Sequence, residues 1–432
     1  MARRRQRIDL WVYLGRRLVG MLRKEASGAV EFRYDEAWLA WKNALPVSLS
    51  LPLQEDAWRG ERVTAVFENL LPDSDTQRRQ VAERVGARGT DAVSLLTAIG
   101  HDCVGALRFL TTDELPTGDG EIAGEPLTQE DVEKLLNGLT RAPLGLGPDD
   151  AFRISVAGAQ EKTALLWHEG RWWKPHGATP TTHLFKPPIG KLPNGPDLTD
   201  SVENEFYCLN LCAAFGLPTA RAEMHAFGST KALVVARFDR RRAADGRLLR
   251  LPQEDFCQAL GVPPTLKYQS EGGPGLADIL TLLRGSDTPA KDQKIVLKAQ
   301  LLFWLMGATD GHAKNFSIHL GRNGRFRLTP LYDVLSTQPL LDAGQIERQH
   351  MRLAMSVGDK NRYRMDEICG RHFLQTAAKA QVPAQLAREA IEEIVAATEP
   401  ALEQVADSLP QGFPEYIHAS ISTAIRARLR QL

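Results

Sequence analysis

The stretch GATDGHAKNFSIHL, Gly307 to Leu320, places a cluster of short polar residues directly behind an apolar segment, Ile295–Met306. The apolar segment has the composition of a buried helix. Polar side chains at the end of such a helix lose solvation unless they form hydrogen bonds or hold a ligand. We therefore expect Asp310, His312 and Asn315 to have a binding or chemical role.

After Asn315 the sequence alternates between apolar and polar residues, reaches the turn-forming residues GRNG and alternates back through RFRL. This pattern predicts a β-hairpin. If its turn is centred between the arginine and the asparagine of GRNG, Asn315 lies opposite Pro330, and Asp333 follows within about 10 Å of extended chain. We therefore predict that Asp310, Asn315 and Asp333 converge on one cavity at the end of the apolar helix.

These three side chains have the chemistry of a phosphoryl-transfer site. Asn315 and Asp333 offer amide and carboxylate oxygens, and magnesium takes a few such protein oxygens while it keeps its other positions for water and phosphate. Asp310, five residues before the asparagine, can accept a proton from an attacking hydroxyl. Asp-x-x-x-x-Asn is also the spacing of the protein-kinase catalytic loop. An Asx-capped helix end followed by an ordinary hairpin is the structural alternative for the same residues.

A second candidate element is the loop SVAGAQEK, Ser155 to Lys162, between two strand-like runs. Its small residues let backbone N–H groups approach a phosphate, and Gln160 and Lys162 add donors. It lacks the glycine spacing of a Walker loop, so a plain hairpin is the alternative. Lys186, at the end of a predicted strand, can reach the α- and β-phosphates of a nucleotide while pairing with Glu205 or Glu203; a solvated surface lysine is the alternative there.

The composition excludes several classes of protein. The 432 residues are 43% hydrophobic, which fits two or three globular domains. Because 53 Lys and Arg balance 53 Asp and Glu, bulk charge gives no case for binding nucleic acid or an anionic membrane. The five scattered cysteines argue against a disulfide framework or structural zinc. With no signal-peptide core and no membrane span in the sequence, we expect a cytoplasmic protein with no membrane partner.

The order of predicted elements divides the chain into an N-terminal β-rich subdomain (1–112), an acidic connector (113–148), a nucleotide-binding part (149–245) and a helical part with the catalytic loop and metal site (246–432). The connector is expected to have little core of its own apart from a helix at TQEDVEKLLNGLT. From Leu249 onward the chain is expected to be mostly helical, and Arg426–Arg430 to be a solvated terminus.

Local patterns predict further elements. Residues 8–34 are predicted to form a hairpin and a third strand, and the run FRISV another strand. Helices are predicted at Val63–Leu71 and Arg78–Ala98. A helix in DSVENEFYCLNLCAAFG is predicted to start with a capping box between Asp200 and Glu203 and to stop at Gly216.

Taken together, these stretches resemble the HipA family of bacterial serine/threonine kinases, the toxins of toxin–antitoxin pairs. The matching segments are SLPL, NLLPDS, IGHDCVGAL, FRISVAGAQEK, ENE, RFDRR, LPQEDFCQ, GATDGHAKNFS and LTPLYD, in this order along the chain. The resemblance implies an α+β, two-lobed protein-kinase-like fold, with a β-rich N-terminal lobe, a helical C-terminal lobe and ATP in the cleft.

The resemblance also implies roles for individual residues. Asp310 corresponds to the catalytic base, and Asn315 and Asp333 to the Mg2+ ligands. Members of the family often have glutamate at the first hinge position, where this chain has alanine, so only backbone contacts to adenine are expected there. The implied ATP-binding residues are Ala157, Gly158, Ala159, Gln160, Glu161, Lys162, Lys186, Ala236, Arg237, Phe238, His312, Ala313, Lys314, Asn315, Tyr332 and Asp333.

Regulation and partners follow from the same resemblance. Ser155 corresponds to the serine that such kinases phosphorylate on themselves, and the added charge of about −1.5 to −2 is expected to expel the phosphate loop and silence the enzyme. The implied partner is a HipB-like helix-turn-helix antitoxin that binds operator DNA, with the kinase as co-repressor. The implied substrate is a protein of the translation machinery, with glutamyl-tRNA synthetase as the candidate.

Two other functions use the same sequence features. Asp-x-His-x-x-Asn also resembles the loop of phosphoinositide kinases, so a lipid or small-molecule kinase is one alternative. A kinase-shaped co-repressor without catalytic activity is the other. The nearly complete set of polar groups favours an active enzyme.

Overall fold

The computed structural model describes residues 7–113, 122–147, 152–158, 160–193 and 195–432. The chain forms two compact units. The first comprises Met1–Pro187, Ala226–Thr265 and Ile318–Arg325; the second comprises Pro188–His225, Leu266–Ser317 and Phe326–Leu432. This division assigns residues 188–225 to the second unit, whereas the prediction placed them in the nucleotide-binding part (149–245). It assigns residues 246–265 to the first unit, whereas the prediction placed them in the helical part (246–432).

The fold combines α-helices and β-sheets, as predicted for an α+β protein. The strands are β1 Ile8–Leu14, β2 Arg17–Lys24, β3 Val30–Tyr34, β4 Trp58–Arg59, β5 Leu107–Leu110, β6 Gly124–Leu127, β7 Thr163–His168, β8 Arg171–Pro175, β9 His183–Lys186, β10 Gly190–Lys191, β11 Asp197–Leu198, β12 Ala222–Phe227, β13 Thr230–Ala236, β14 Arg240–Arg242, β15 Leu248–Arg250, β16 Gln253–Asp255, β17 Ser317–Leu320, β18 Phe326–Leu328, β19 Arg352–Val357 and β20 Arg362–Arg364. The α-helices are α1 Glu36–Leu39, α2 Glu61–Glu68, α3 Asp75–Val85, α4 Ala92–Ile99, α5 Gln129–Asn137, α6 Ser201–Ala214, α7 Phe256–Leu260, α8 Leu276–Leu282, α9 Pro289–Met306, α10 Gln338–Asp342, α11 Gly370–Lys379, α12 Ala384–Ser408 and α13 Glu415–Leu429.

Two larger antiparallel sheets, of which the strands of the first unit form most, accompany the short antiparallel pair β14–β15. One has the strand order β4-β3-β2-β1-β5 and confirms the predicted hairpin and third strand. The side chains of Leu10, Val12, Leu22 and Phe32 are fully buried, which is the period-two pattern of a sheet with one face on a core. In the other sheet, strands β13, β9, β7, β8 and β6 are neighbours in that order.

Two sequence-based predictions for the first unit were wrong. The run FRISV forms no strand, since residues 152–157 have an irregular backbone. The predicted helix Arg78–Ala98 is two helices, because α3 ends at Gly86 in a left-handed conformation and α4 starts only after its own cap, Asp91.

The connector packs against the second sheet. Helix α5 buries Val132 and Leu136 in a hydrophobic cluster with Leu165, Phe185 and other residues of that sheet. The predicted helix itself is confirmed, and Thr128 and Asp131 form a reciprocal capping box at its start. Part of the acidic segment, residues 114–121, lies outside the described residues.

The second unit is built around α9, whose residues from Val296 to Met306 are all buried. Helices α12 and α13 pack against α9, and α12 also packs against α6. Helix α6 ends before Gly216, as predicted, but the side chain of Asp200 forms no cap at its start. The hairpin of β19 and β20 was missed, because its short, Arg-rich strands lack the apolar alternation that indicates a strand. None of the helices in the described part combines the length and hydropathy that a membrane span requires.

Candidate active site

The second unit holds the loop that follows helix α9, from Gly307 to Ser317. Helix α9 ends where Gly307 adopts a left-handed conformation, with φ of 77°, which a glycine does without strain. The chain then makes a 3-10 turn over Ala313–Asn315. The side-chain Nδ2 of Asn315 donates to the backbone oxygen of Asp310 at 2.9 Å, and the backbone N–H of His312 donates to the same oxygen at 2.8 Å. Because the Asn315 amide uses its nitrogen in this way, its carbonyl oxygen faces elsewhere and suits a cation.

Tyr332 connects this loop to the segment that carries Asp333. The Tyr332 hydroxyl donates to the backbone oxygen of Lys314 at 2.8 Å and lies 2.5 Å from the hydroxyl of Ser317. These bonds join the residues directly before Asn315 and Asp333. Asp333 itself has φ of 58°, an uncommon conformation for a residue other than glycine and one found often at functional sites.

The hairpin after Asn315 exists, but its register differs from the prediction by one residue. The Thr329 N–H donates to the Ser317 oxygen, and the Gly321 N–H donates to the Arg325 oxygen. The turn is therefore centred on Asn323, whose φ is 57°, rather than between Arg322 and Asn323. A three-residue turn with a left-handed asparagine replaces the predicted two-residue turn, so Asn315 does not lie opposite Pro330.

His312 lies among the acidic groups of the loop. Its side chain is buried, with 3% of the residue exposed, and burial lowers the pKa of the imidazole even though the carboxylates of Asp310 and Asp333 act in the opposite direction. The ring is therefore neutral at pH 7. Since both carboxylates act on His312, they lie within electrostatic range of one ring.

Tyr268 is a member of the site that the sequence analysis missed. Its hydroxyl donates to Oδ1 of Asp310 at 2.6 Å, and its ring packs edge-on against His312 with centroids 5.0 Å apart. No motif signals this contact, because the two residues are separated by 42 positions. We call the set of five residues Tyr268, Asp310, His312, Asn315 and Asp333 the catalytic cluster.

The predicted phosphate loop lies in the first unit. Gly158 forms a parallel β-bridge with Pro72 of the NLLPDS segment. The Lys162 ammonium, in a residue only 5% exposed, donates to the Ala157 oxygen at 2.8 Å, and Gln160 Nε2 donates to the Pro187 oxygen at 3.2 Å. Glu161 belongs to the same irregular loop, whereas Ala159 lies outside the described residues.

Ser155 is completely enclosed. None of its surface is exposed, its hydroxyl donates to the Leu70 oxygen at 2.7 Å, and its backbone N–H donates to the Asp102 oxygen at 3.0 Å. The loop that carries Ser155 is thus fixed to two other segments of the first unit. A phosphate on this hydroxyl has no space in the conformation described.

Lys186 ends strand β9, opposite Leu233 of β13. With 5% of the residue exposed it is buried, so the alternative of a solvated surface lysine was wrong. Glu203 and Glu205 are both buried on α6 of the second unit, and the pairing of Lys186 with either of them stays a prediction.

The predicted hinge follows β13. Ala236 lies opposite His183, and the Phe238 ring packs edge-on against His319. The Arg237 N–H donates to the Thr182 oxygen, and the Arg237 side chain enters a buried set of ion pairs, here named the ion-pair network: Asp102, Arg237, Asp239, Arg240 and Arg250. Arg237 therefore has a structural role, and its contact with a nucleotide stays a prediction.

Comparisons with known proteins identify the family. Residues 154–402, more than half of the chain, match the family model of the HipA-like C-terminal domain. Residues 10–110 match the model of the HipA N-terminal domain. The second match covers the five-stranded sheet with its helices, and the first covers the phosphate loop and the catalytic cluster.

Two relatives and one solved structure extend over most of the chain. Y4mE of Sinorhizobium fredii, whose name places it among kinases, is 36% identical over 423 residues, which are 96% of this chain and 97% of Y4mE. The serine/threonine-protein kinase toxin HipA of Shewanella oneidensis is 28% identical over 366 residues, 82% of this chain and 79% of that protein. A structure of Shewanella oneidensis HipA with HipB and operator DNA matches with a TM-score of 0.78 at 24% identity, over 98% of this chain and 96% of that one, and supports the same fold. The chain therefore belongs to the HipA family and is a protein kinase.

Proposed function

We propose that the protein is an ATP- and Mg2+-dependent serine/threonine kinase that acts as the toxin of a toxin–antitoxin system, with Asp310 as its catalytic base. The observation that supports this proposal is a pair of hydrogen bonds: the Asn315 amide donates to the Asp310 backbone oxygen, and the hydroxyl of Tyr332, the residue before Asp333, donates to the Lys314 oxygen. Phosphoryl transfer needs a base and metal ligands around the acceptor hydroxyl, and we propose that Asp310, Asn315 and Asp333 supply them.

The donor set fits magnesium. In the part of the chain that the structure describes, no three His, Cys, Asp or Glu side chains are grouped as a metal centre, but a magnesium site with one amide and one carboxylate ligand needs no such group. The Asn315 carbonyl oxygen and the Asp333 carboxylate are the proposed ligands. A magnesium ion held by Asn315 and Asp333 would neutralise negative charge that develops on the phosphate during transfer.

Asp310 acts on the acceptor hydroxyl. As the acceptor oxygen forms its bond to the γ-phosphorus and the bond to the bridging oxygen of ATP breaks, the hydroxyl proton passes to the carboxylate of Asp310. His312 is buried, and burial lowers the pKa of its imidazole, which makes the ring a weaker base than an ordinary histidine. We therefore assign the proton-accepting role to Asp310 and a packing role to His312. The predicted loop Ala157–Lys162 and Lys186 supply donors for the nucleotide phosphates.

The proposed test replaces Asp310 with asparagine. Because general-base catalysis typically contributes about 10²- to 10⁴-fold, Asp310→Asn is expected to lower the rate of phosphoryl transfer by that factor while folding and partner binding persist. Asp407→Asn, an exposed aspartate on α12, is the matched control and is expected to keep wild-type activity. Turnover by Asp310→Asn at the wild-type rate would contradict the assignment.

The partners and the substrate are proposed from the relatives. The solved relative was crystallised with HipB and operator DNA, so we expect a HipB-like helix-turn-helix antitoxin to bind this chain and to carry most of the DNA contact. The proposed substrate is a translation protein, with glutamyl-tRNA synthetase as the first candidate. Phosphoproteomics of cells that express the wild type or Asp310→Asn identifies it: a translation protein phosphorylated only with the wild type supports the proposal, and its absence contradicts it.

Self-silencing through Ser155 is supported by the complete burial of its hydroxyl. The hydroxyl must leave its bond to Leu70 before it can accept a phosphate, and the phosphorylated loop cannot return to the same enclosed position. A fully phosphorylated sample is therefore expected to lose ATP affinity. Unchanged affinity in that sample, measured by calorimetry beside the unphosphorylated Ser155→Ala variant, would refute the mechanism.

A further inference from the structure

The hydrogen bond from Tyr268 to Asp310 has the length of a charge-assisted contact. Its O···O distance is 2.6 Å, within the range typical of a hydroxyl that donates to an ionised carboxylate. Asp310 is exposed and follows the end of α9 in a segment without regular secondary structure. Without a second contact, its carboxylate would be free to rotate about the side-chain bonds.

The ring of Tyr268 is itself held in place. It lies edge-on to His312 at an interplanar angle of 81°, and His312 is buried. The Lys267 ammonium lies 5.4 Å from the centre of the same ring, within the distance of a cation–π contact. The hydroxyl is therefore directed by a ring with little freedom to turn.

The backbone around Tyr268 forms a tight turn. The Tyr268 oxygen accepts hydrogen bonds from the N–H groups of Glu271 and Gly273, each at 3.0 Å. A Cβ atom on Gly273 would lie 1.8 Å from the backbone oxygen of Leu266, so only glycine fits this close approach. The side-chain oxygen of Gln269 accepts the Ser356 N–H at 2.7 Å, which ties the turn to the rest of the second unit.

We propose that Tyr268 is a positioning residue for phosphoryl transfer: its hydroxyl holds Oδ1 of Asp310 and leaves Oδ2 directed at the acceptor hydroxyl. The inference rests on the proposed role of Asp310 as the base. Its physical basis is preorganisation, because a base that is already oriented needs no reordering as the transition state forms. The GGPG sequence at Gly272–Gly275 thus helps to build the turn that holds Tyr268.

The first experiment replaces Tyr268 with phenylalanine, which keeps the ring and removes only the hydroxyl. A hydrogen bond to a charged group corresponds to about a 10- to 100-fold effect, so kcat is expected to fall by that factor. The KM for ATP is expected to stay within about twofold, because the contact orients the base and does not bind the nucleotide. Circular dichroism and the melting temperature confirm that Tyr268→Phe is folded at the assay temperature.

The matched control is Tyr416→Phe. Tyr416 also donates its hydroxyl to an aspartate of the second unit, Asp200, at 2.9 Å, but it lies outside the catalytic cluster. This variant is expected to keep the wild-type kcat. A loss equal to that of Tyr268→Phe would show that removal of any Tyr–Asp bond in this unit lowers activity, and would overturn the inference.

The second experiment combines Tyr268→Phe with Asp310→Asn and measures single-turnover rates. A residue that acts through the carboxylate loses its effect when the carboxylate is gone, so the double variant is expected to be within about twofold of Asp310→Asn alone. A further tenfold fall in the double variant indicates a merely structural role. An unchanged or faster Tyr268→Phe enzyme also overturns the positioning role, while the loss of activity in Asp310→Asn keeps the proposed function intact. Retained activity in Asp310→Asn refutes the proposed function itself.

Discussion

The ion-pair network of the first unit and the catalytic cluster of the second use similar residue types for different purposes. In the network, the side chains are only 2% to 6% exposed, and every carboxylate oxygen of Asp102 and Asp239 accepts at least one hydrogen bond. In the cluster, Asp310 is exposed, and its carboxylate accepts a hydrogen bond from the hydroxyl of Tyr268. Buried carboxylates whose oxygens all accept hydrogen bonds stabilise the fold, whereas an exposed and oriented carboxylate is available for chemistry.

The pKa shifts in the ion-pair network show why its buried groups stay charged. Burial alone would raise the pKa of Asp102, but the charges of Arg240, Arg250 and Arg237 outweigh burial and hold the pKa of this carboxyl well below its usual range. Burial, together with repulsion from Arg237, lowers the pKa of Arg240 to about 10, so its guanidinium remains charged at pH 7. The five groups thus stay ionised only because each has its partners.

The largest expected effect comes from breaking the network at Asp102. Asp102→Asn keeps the shape of the side chain and removes the charge that three arginines share. Loss of one member of a buried ion pair typically costs about 3–5 kcal/mol, so the free energy of unfolding is expected to fall by that amount. Urea denaturation followed by circular dichroism measures it.

The control for that prediction is Asp245→Asn. Asp245 pairs with Arg247 at 2.8 Å, but the two side chains are 53% and 57% exposed. Exposed pairs contribute about 0–1 kcal/mol, so the variant is expected to unfold at nearly the wild-type urea concentration. Similar losses in the free energy of unfolding of both variants would mean that burial and complete hydrogen bonding do not make the network more stabilising than an exposed ion pair.

Local patterns in the sequence predicted the elements whose signals are local. The β1–β2 hairpin, helix α5 and the end of α6 at Gly216 each depend on residues within a few positions of one another. The spacing of Asp310 and Asn315 belongs to this class, since one short turn brings the asparagine back to the aspartate backbone.

Long-range partners could not be predicted in the same way. Arg237 was expected at an adenine hinge, but its side chain binds Asp102, which is 135 positions away. Tyr268 went unnoticed because nothing near it in the sequence indicates that its hydroxyl reaches Asp310. The hairpin register was wrong because the left-handed conformation of Asn323 decides it, and periodicity carries no information about one backbone angle.

Unlike Asp102 and Asp239, Glu254 is a buried carboxyl group with one oxygen that accepts no hydrogen bond from the described residues. Its Oε1 accepts the Leu49 N–H at 2.8 Å, while Oε2 has no hydrogen-bond partner among the described residues. Burial raises the pKa of Glu254 to about 8, so the carboxyl is neutral in the folded protein below that pH. In the unfolded chain it ionises near its ordinary pKa of about 4.3.

Between these two pKa values the folded state binds a proton that the unfolded state has lost. The free energy of unfolding therefore falls as pH rises through this window, by about 1.4 kcal/mol per pH unit from this group, and the loss levels off above pH 8. Glu254→Gln removes the titration, so its stability relative to wild type is expected to rise by about 2–3 kcal/mol between pH 6 and pH 8. Urea titrations at both pH values measure the difference, and Glu415→Gln, an exposed glutamate at the start of α13, is the control. An equal pH dependence in wild type and Glu254→Gln would show that the buried carboxyl is ionised.

The smallest effect concerns an arginine of the second unit whose partners are uncharged. Arg426–Arg430 was predicted to be solvated, but Arg428 is partly buried, and burial lowers its pKa to about 10. Its guanidinium donates to the Leu305 oxygen at 2.8 Å and to Gln338 Oε1 at 2.6 Å. The Leu305 oxygen lies in the last turn of α9, where a positive charge is favourable, just before the loop that carries Asp310.

Lysine cannot present two donors in this fixed geometry. Arg428→Lys is therefore expected to keep the charge, lose one of the two bonds and lower the free energy of unfolding by about 1–2 kcal/mol, less than Asp102→Asn because no buried charge loses its counter-ion. Arg430→Lys, at an exposed position directly after α13, provides the control in the same urea titration. A loss in Arg428→Lys as large as that in Asp102→Asn would show that hydrogen bonds to neutral oxygens, and not paired charges, determine how strongly a buried arginine stabilises this protein.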